Sequence, residues 1–313
     1  MSPKRVGRVT LIGSWISPTV SVVIPHYGDS APTLVLLDQL RAQDGAELQL
    51  IVADDCSPIP FPETPGVTVV RRAQNGGFGC AVNSGAEAAT GELLLILNSD
   101  LEIGPGFVRD LVTAAQPWQP AVAGPRIVDG AGHADWTARR FPTTAHQVTE
   151  WLTPLARVRH TAWWHRGVGH DVAPEPGHAT VTDWLVGAVL LLPLAAFRES
   201  GGFDERFHMN SEEVDLQRRL GARGIPSVYL PMVTVTHVGG GSSDPVLRRR
   251  WLVTSRLRYA EKWGGLVPLR LGLSLATTVN AVANGARRLR GAEVDPLRTA
   301  REEWSLIWQK EPR

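Results

Sequence analysis

The sequence predicts an α/β protein: a mostly parallel sheet flanked by helices, followed by a helical extension. Three observations carry this prediction. Short apolar, β-branched runs alternate with segments of helical period through the first third of the chain, which is the chain order of parallel strands joined by helical crossovers. Three of those runs stop at polar groups, Pro25-His26, Asp54-Asp55 and Asn98-Ser99-Asp100, and in such sheets ligands bind outside the carboxyl ends of the strands. The charge then changes sign near the end. Residues 1–247 carry 18 Lys and Arg against 25 Asp and Glu, a net charge of about −7, whereas residues 248–313 carry 14 against 6, about +8.

Taken in order, Val20-Ser-Val-Val-Ile24 closed by Pro25 reads as a strand ending in a loop. Residues 32–43 carry Leu34, Leu37 and Leu40 at helical spacing. Leu48–Ala53 is a second buried strand ending at Asp54-Asp55, and Val67–Val70 a third. The turn Asn75-Gly-Gly-Phe-Gly79 opens a helix through Ala81, Gly85 and Ala89. Leu93–Leu97 is an apolar strand, and a helix begins near Pro105, where proline is tolerated in the first turn. Residues 129–180, rich in Gly, Pro, His and Trp without clear period, form a partly irregular excursion of the kind that shapes a pocket. Within it Trp163-Trp164-His165 either stacks on a ring-shaped ligand or anchors the loop to the core. Trp184–Leu192 reads as one buried strand, Ser227–Leu230 and Val233–Thr236 as two more, and Asn210–Asp215 as a helix start running to about Arg223. The expected division is a lead-in over 1–19, a catalytic domain over 20–243 with halves meeting near 128, and a basic helical extension over 244–313.

The bulk numbers exclude several classes. Cys56 and Cys80 offer neither a disulfide framework nor metal-ligand spacing, and read as small buried side chains in a reducing compartment. The N-terminal stretch is short and broken by Gly13, Ser14 and Pro18, a poor signal peptide. Residues 266–286 include Arg270, Asn280 and Asn284, polar for a membrane span. A cytoplasmic location, at the inner face of the plasma membrane through the basic tail, is expected. An acidic body without a recognition motif argues against nucleic-acid binding.

The polar strand ends suit a diphosphate ligand neutralised by a divalent cation held through oxygen donors. Asp100 is the first ligand candidate, with Asn98 two residues earlier on the same side of the chain. His237, at another strand end before Gly239-Gly-Gly241-Ser242, is the second, because a glycine loop lets backbone approach phosphate. Glu212, Glu213 and Asp215 cluster at a helix start. Asn210 with Glu213 fits a capping box, and acids there complement the helix dipole; a helix start facing a cleft can also present a general base.

Together these stretches resemble the family 2 glycosyltransferases of the GT-A fold, in particular the bacterial rhamnosyltransferase-like branch. The matching pieces are Val22–Pro25, Ala53–Ser57, Asn75–Asn83, Leu95–Asp100, Trp184–Ala188, Gly201–Glu205, Glu212–Asp215 and His237 through Ser242. The resemblance implies a Rossmann-like nucleotide-diphospho-sugar transferase fold and an inverting transfer from a nucleotide diphosphate sugar, deoxythymidine diphosphate-rhamnose foremost, to a hydroxyl of a glycan or polyprenyl-linked acceptor in cell-envelope polysaccharide synthesis. It implies a donor site at Pro25, Tyr27, Asp54, Asp55, Asn75, Gly77, Gly79, Asn83 and Asn98, with Asp54 on the nucleobase. It implies Mn2+ or Mg2+ on Asp100 and His237, an acceptor side at Trp184, Gly187 and Ala188, and Glu213 as base, Asp215 being the substitute. Two departures stand out: Asn98 replaces the first acid of the Asp-x-Asp motif, and Glu213 stands where the family has Asp. A catalytically weak sugar-binding module and a glycoside hydrolase with paired carboxylates are the competing expectations. In the tail, Arg248–Arg250, Arg256, Arg258 and Lys262 alternate with Trp251, Leu257, Tyr259 and Trp263; this suits either a membrane interface or a helix packed on the catalytic domain.

Overall fold

The computed structural model describes residues 18–134, 136–173, 177–239 and 244–310. Strands β1 (Val20–His26), β2 (Leu48–Asp54), β3 (Val67–Arg71) and β4 (Leu93–Leu97) alternate with helices α1 (Ala31–Arg41) and α2 (Phe78–Glu87). β5 (Leu101–Glu102), α3 (Phe107–Ala115) and β6 (Val122–Val128) complete the first half. The excursion contributes β7 (Ala138–Arg139), α4 (Thr144–Trp151), α5 (Ala162–Gly167) and β8 (Thr180–Thr182). There follow β9 (Trp184–Leu185), β10 (Val189–Pro193), α6 (Leu194–Glu199), α7 (Glu212–Gly221) and β11 (Ser227–His237). The chain closes with α8 (Pro245–Trp263), α9 (Leu266–Leu289) and α10 (Pro296–Ile307).

The main sheet runs β3-β2-β1-β4-β10-β6-β11-β5, with β8 beside β11. β1, β2, β3 and β4 pair in parallel, as do β6 and β11, while β10 is inserted antiparallel between β4 and β6. Alternate strand residues face opposite layers. Val22, Ile24, Leu95 and Leu97 pack with Leu36, Leu37 and Leu111 of α1 and α3. Val23, Ile51 and Ile96 pack with Val82, Phe197 and Leu216 of α2, α6 and α7. Each such fully buried side chain stabilises the fold by about 1.5–3 kcal/mol. α2 lies close because Gly85 faces Val23; an added Cβ would meet Val23 Cγ1 at 2.6 Å.

Three expectations change, and one strand the pattern did not show appears. Trp184–Leu192 is not one strand: β9 pairs with β7 in a separate small sheet, β10 joins the main sheet, and the chain breaks at Val186-Gly187-Ala188. Ser227–Leu230 and Val233–Thr236 are one strand, irregular between Leu230 and Thr234 beside Pro125; Pro125 and Pro231 have no N–H to give the ladder. β6 was hidden from the pattern by Gly124-Pro125-Arg126. The capping box at α7 does not form, since Ser211 is the N-cap, makes no side-chain cap bond and has φ of 69°.

α8 resolves the two readings of its basic-aromatic mixture toward packing. Val253, Leu257 and Tyr259 are buried. Ser255 donates to the Met209 carbonyl at 2.7 Å, Arg256 pairs with Glu150, and Tyr259 and Trp263 pack with Trp184, Phe207 and Val214. α9 rests on α4, α8 and α10 through Leu269, Leu273 and Ala276, joined by Trp151 and Ile307.

Candidate active site

Because β1, β2 and β4 run parallel, their carboxyl ends open on one edge. A cavity of about 420 Å3 lies there, lined by Pro25, Tyr27, Asp55, Gly77, Asn98 and Asp100 among others. The adjacent aspartates behave differently because successive residues of a strand face opposite sides. Asp54 is fully buried and lies behind the cavity: it accepts from Ser57 N at 2.8 Å and Phe61 N at 3.1 Å and pairs with Arg71. Burial pushes its carboxyl up, but these hydrogen bonds outweigh it and hold it below the ordinary range. Asp55 lines the cavity and shapes it, accepting from Gly77 N at 2.7 Å and from Gly76 N, with Arg72 Nε at 2.9 Å. Gly77 has φ of 90°, and a side chain there would overlap the His208 carbonyl, so only glycine fits. Asn75 leads into this turn. Gly79 lies against Phe203, and Asn83 lies away from the cavity, exchanging bonds of 2.8 and 2.9 Å with Phe203 N and O.

Asp100 and His237 meet because β5 pairs antiparallel with the end of β11, placing Leu101 opposite His237. His237 Nε2 lies 3.0 Å from Asp100 Oδ1 and 3.5 Å from Asn98 Nδ2. Burial raises the Asp100 carboxyl, and the hydrogen bond and charge of His237 bring it below its usual value. Among the described residues no group of three or more His, Cys, Asp or Glu is placed to hold a metal. One carboxylate and one imidazole do fit a divalent ion whose remaining positions are taken by ligand phosphate and water, as Mg2+-type sites commonly have. Of the glycine loop, residues 240–242 lie outside the described residues.

A second cavity, about 280 Å3, adjoins the loop Met209–Ser211, which also borders the first: Met209 lines one, Asn210 and Ser211 the other. Glu213 opens into this second cavity with Arg139, His146, Trp184 and Arg256. Asn210 and Ser211 both hold φ of 69°, costing about 1–3 kcal/mol each; this delivers α7 with its first acids turned inward rather than capping. Glu212 Oε2 and Glu213 Oε2 are buried without hydrogen-bond partners. Burial pushes both carboxyls up, Glu212 further because Glu213 lies beside it, while Arg139 opposes the rise at Glu213. A raised carboxyl is suited to proton transfer near neutrality.

Asp215 is fully buried and saturated by Arg219 Nε at 2.8 Å, Lys262 Nζ at 2.7 Å and Trp263 Nε1 at 2.9 Å, so it ties α7 to α8 and does not face the cavity. Gln217 fixes α7 to β9 through both backbone groups of Leu185, each at 2.8 Å. The break after β9 places Gly187 against Glu213, and the Ala188 carbonyl accepts from Asn98 N at 2.9 Å. Those two adjacent residues therefore touch both halves of the site. Trp184 is buried, donating to the Arg140 carbonyl at 2.9 Å. Sequence reasoning missed Arg139, His146 and Arg256, whose only signal was position in an aperiodic excursion or a basic tail. His165 stacks with Trp136 and His170, and Trp164 meets His165 and His170 edge-on, so these rings tie the excursion to itself, while Trp163 faces solvent.

A mostly parallel sheet flanked by helices, interrupted by the antiparallel β10 and opening at its strand ends on a cavity, is the GT-A arrangement. Comparison with known proteins agrees. The profile of Glycosyl transferase family 2 matches residues 21–173. The chain is 31% identical over 218 residues to N-acetylglucosaminyl-diphospho-decaprenol L-rhamnosyltransferase of Mycobacterium tuberculosis, covering 61% of this chain and 66% of that one. It is 28% identical over 310 residues to pre-mycofactocin glycosyltransferase of the same organism, covering 89% and 59%; the chain thus spans about two thirds or less of these relatives' lengths. In fold it is similar to the mannosyltransferase PcManGT from Pyrobaculum calidifontis in complex with GDP-Man and Mn2+, with TM-score 0.56, 16% identity and 95% and 89% coverage. It is likewise similar to GalNAc-T7 with UDP, GalNAc and Mn2+, with TM-score 0.55, 15% identity and 83% and 55% coverage. The chain belongs to glycosyl transferase family 2.

Proposed function

We propose that this protein is an inverting glycosyltransferase that moves a sugar from a nucleotide diphosphate donor to a hydroxyl of a glycan or polyprenyl-linked acceptor in cell-envelope polysaccharide synthesis. L-Rhamnose from deoxythymidine diphosphate-rhamnose is the donor we favour, supported by the rhamnosyltransferase similarity. The observation that carries the reading is the pair of cavities sharing the Met209–Ser211 loop, one at the strand ends and one holding Glu213. The nucleotide would take the first cavity, with Asp55 rather than Asp54 at its wall. Asp100 and His237 would hold a divalent cation, which when bound neutralises the leaving diphosphate. Glu213 accepts the proton of the acceptor hydroxyl as that oxygen attacks the anomeric carbon, and the bond to the diphosphate oxygen breaks on the opposite face. Gly187 and Gln217 hold Glu213 in position, and Arg139 keeps it from being protonated too readily.

The test is calorimetric titration with thymidine, uridine and guanosine diphosphates, with and without Mn2+, on the wild type and Asp100→Ala. Metal-dependent binding of one nucleotide, lost in the variant, is expected. Absence of nucleotide binding under every condition would refute the transferase assignment.

A further inference from the structure

We propose that the outward face of α9, together with the Trp304–Trp308 edge of α10, docks the protein flat on an anionic lipid bilayer. Val267, Leu271, Leu275, Val282 and Leu289 recur at helical spacing and fall on one stripe, opposite the buried Leu269, Leu273 and Ala276. The stripe is open: Leu271 is 58% exposed, Leu275 68%, Val282 72% and Leu289 91%. Trp304 and Trp308, also exposed, lie along one side of it with their indole N–H groups toward Ser274. α9 contains no acidic residue, and Arg287, Arg288 and Arg290 stand exposed at its end.

Apolar residues on one face, tryptophan at the margin and arginines at the end are the composition that enters the headgroup boundary of acidic membranes. A second copy fits less well, because a facing α9 offers these arginines no carboxylate. α9 has the length and apolarity of a spanning helix, but its inner face is fastened to the protein. Asn280 bonds the Trp151 carbonyl at 2.8 Å and Thr153 N at 2.9 Å, and Thr277 donates to Glu303 at 2.7 Å. α9 therefore meets lipid lying along the surface. α4 and α8, on which it packs, also wall the Glu213 cavity, so docking holds that cavity within roughly one or two helix diameters, about 10–20 Å, of the headgroups. The docking surface stands on its own; its use in delivering a lipid-linked acceptor rests on the function proposed above.

Flotation with vesicles of phosphatidylcholine, alone or mixed with phosphatidylglycerol, tests this on the full chain. The wild type should float with the mixed vesicles and lose binding as salt rises. Leu271→Glu/Leu275→Glu/Val282→Glu should partition at least about tenfold less, and Arg287→Gln/Arg288→Gln/Arg290→Gln should weaken binding and flatten its salt dependence. All these side chains are exposed, so thermal melting and nucleotide binding should be unchanged. A wild type that ignores the mixed vesicles, or a triple-glutamate variant that floats like it, overturns the proposal. So does a wild-type dimer in size-exclusion chromatography that the glutamates dissociate without any vesicle binding. Normal flotation with no nucleotide binding would instead refute the transferase reading and leave the docking surface standing.

Discussion

Replacing Gly187 with alanine should slow transfer while leaving the fold and donor binding nearly intact. Gly187 is not among the positive-φ glycines, so alanine can take its backbone conformation, and stability should change by no more than about 1 kcal/mol. The new methyl carbon would lie 3.3 Å from Glu213 Cβ and 3.4 Å from Cγ, inside the roughly 3.5–4.0 Å of ordinary carbon contact. The glutamate must therefore yield by a few tenths of an ångström. Since a misplacement of about 1 Å can cost about 100-fold in rate, a shift of roughly 0.25–0.5 Å corresponds to about 3- to 10-fold in kcat. Steady-state transfer kinetics, with nucleotide titration and a thermal melt as controls, measure this directly. A variant that melts normally and keeps full kcat would refute the argument that Glu213 acts from its observed position. One that loses nucleotide affinity with kcat preserved would move Gly187 to the donor site.

Other outcomes follow from the same geometry. Glu213→Gln should lower kcat by about 10²- to 10⁴-fold without weakening nucleotide binding. Because burial raises the Glu213 carboxyl and only its ionised form accepts a proton, wild-type kcat/KM should rise with pH from a point above the ordinary carboxylate range, and the surviving activity of the variant should lack that limb. Protons bound more tightly in the fold also mean stability lost as pH rises from the ordinary carboxylate range through the raised Glu212 value, so Glu212→Gln, which removes the titrating group, should flatten that loss in denaturant unfolding followed against pH. Asp215→Ala leaves Arg219 and Lys262 without their buried partner and should cost about 3–5 kcal/mol in denaturant unfolding. Gly77→Ala, at φ of 90° against the His208 carbonyl, should abolish nucleotide binding by titration even where the protein still folds.

The alternation of apolar runs and helical period made the first half of the fold legible, because β1, β2 and β4 are buried on both faces over most of their length and hence continuous in sequence. β6 escaped because its buried run contains Gly124-Pro125-Arg126, and its place depends on pairing with β11, more than a hundred residues away. The choice between Asp54 and Asp55 was closed to sequence reasoning, since it depends on which side of the strand meets the turn at Gly76-Gly77. At α7 the pattern of Asn210 and Glu213 suggested a cap. Two consecutive left-handed residues override it, a conformation no local propensity favours for asparagine and serine in succession. The walls of the Glu213 cavity come from β7, α4, β9, α7 and α8, and no linear motif can record so scattered an assembly.

The anchoring of Asp215 by α8 bears on how this enzyme can be divided. The composition changes near residue 244, and a shortened chain ending there would seem to retain the whole catalytic motif set. It would instead strip Lys262 and Trp263 from a buried carboxylate, uncover Trp184, Phe207 and Val214, and remove the Leu252–Tyr259 wall of the base cavity. The basic segment thus supplies Leu252, Arg256 and Tyr259 to the wall of the Glu213 cavity. Grafting a different tail onto residues 20–243 would exchange that wall together with the outward-facing surface of α9, so under the function and docking surface proposed above, acceptor choice and surface attachment would be inherited as one piece.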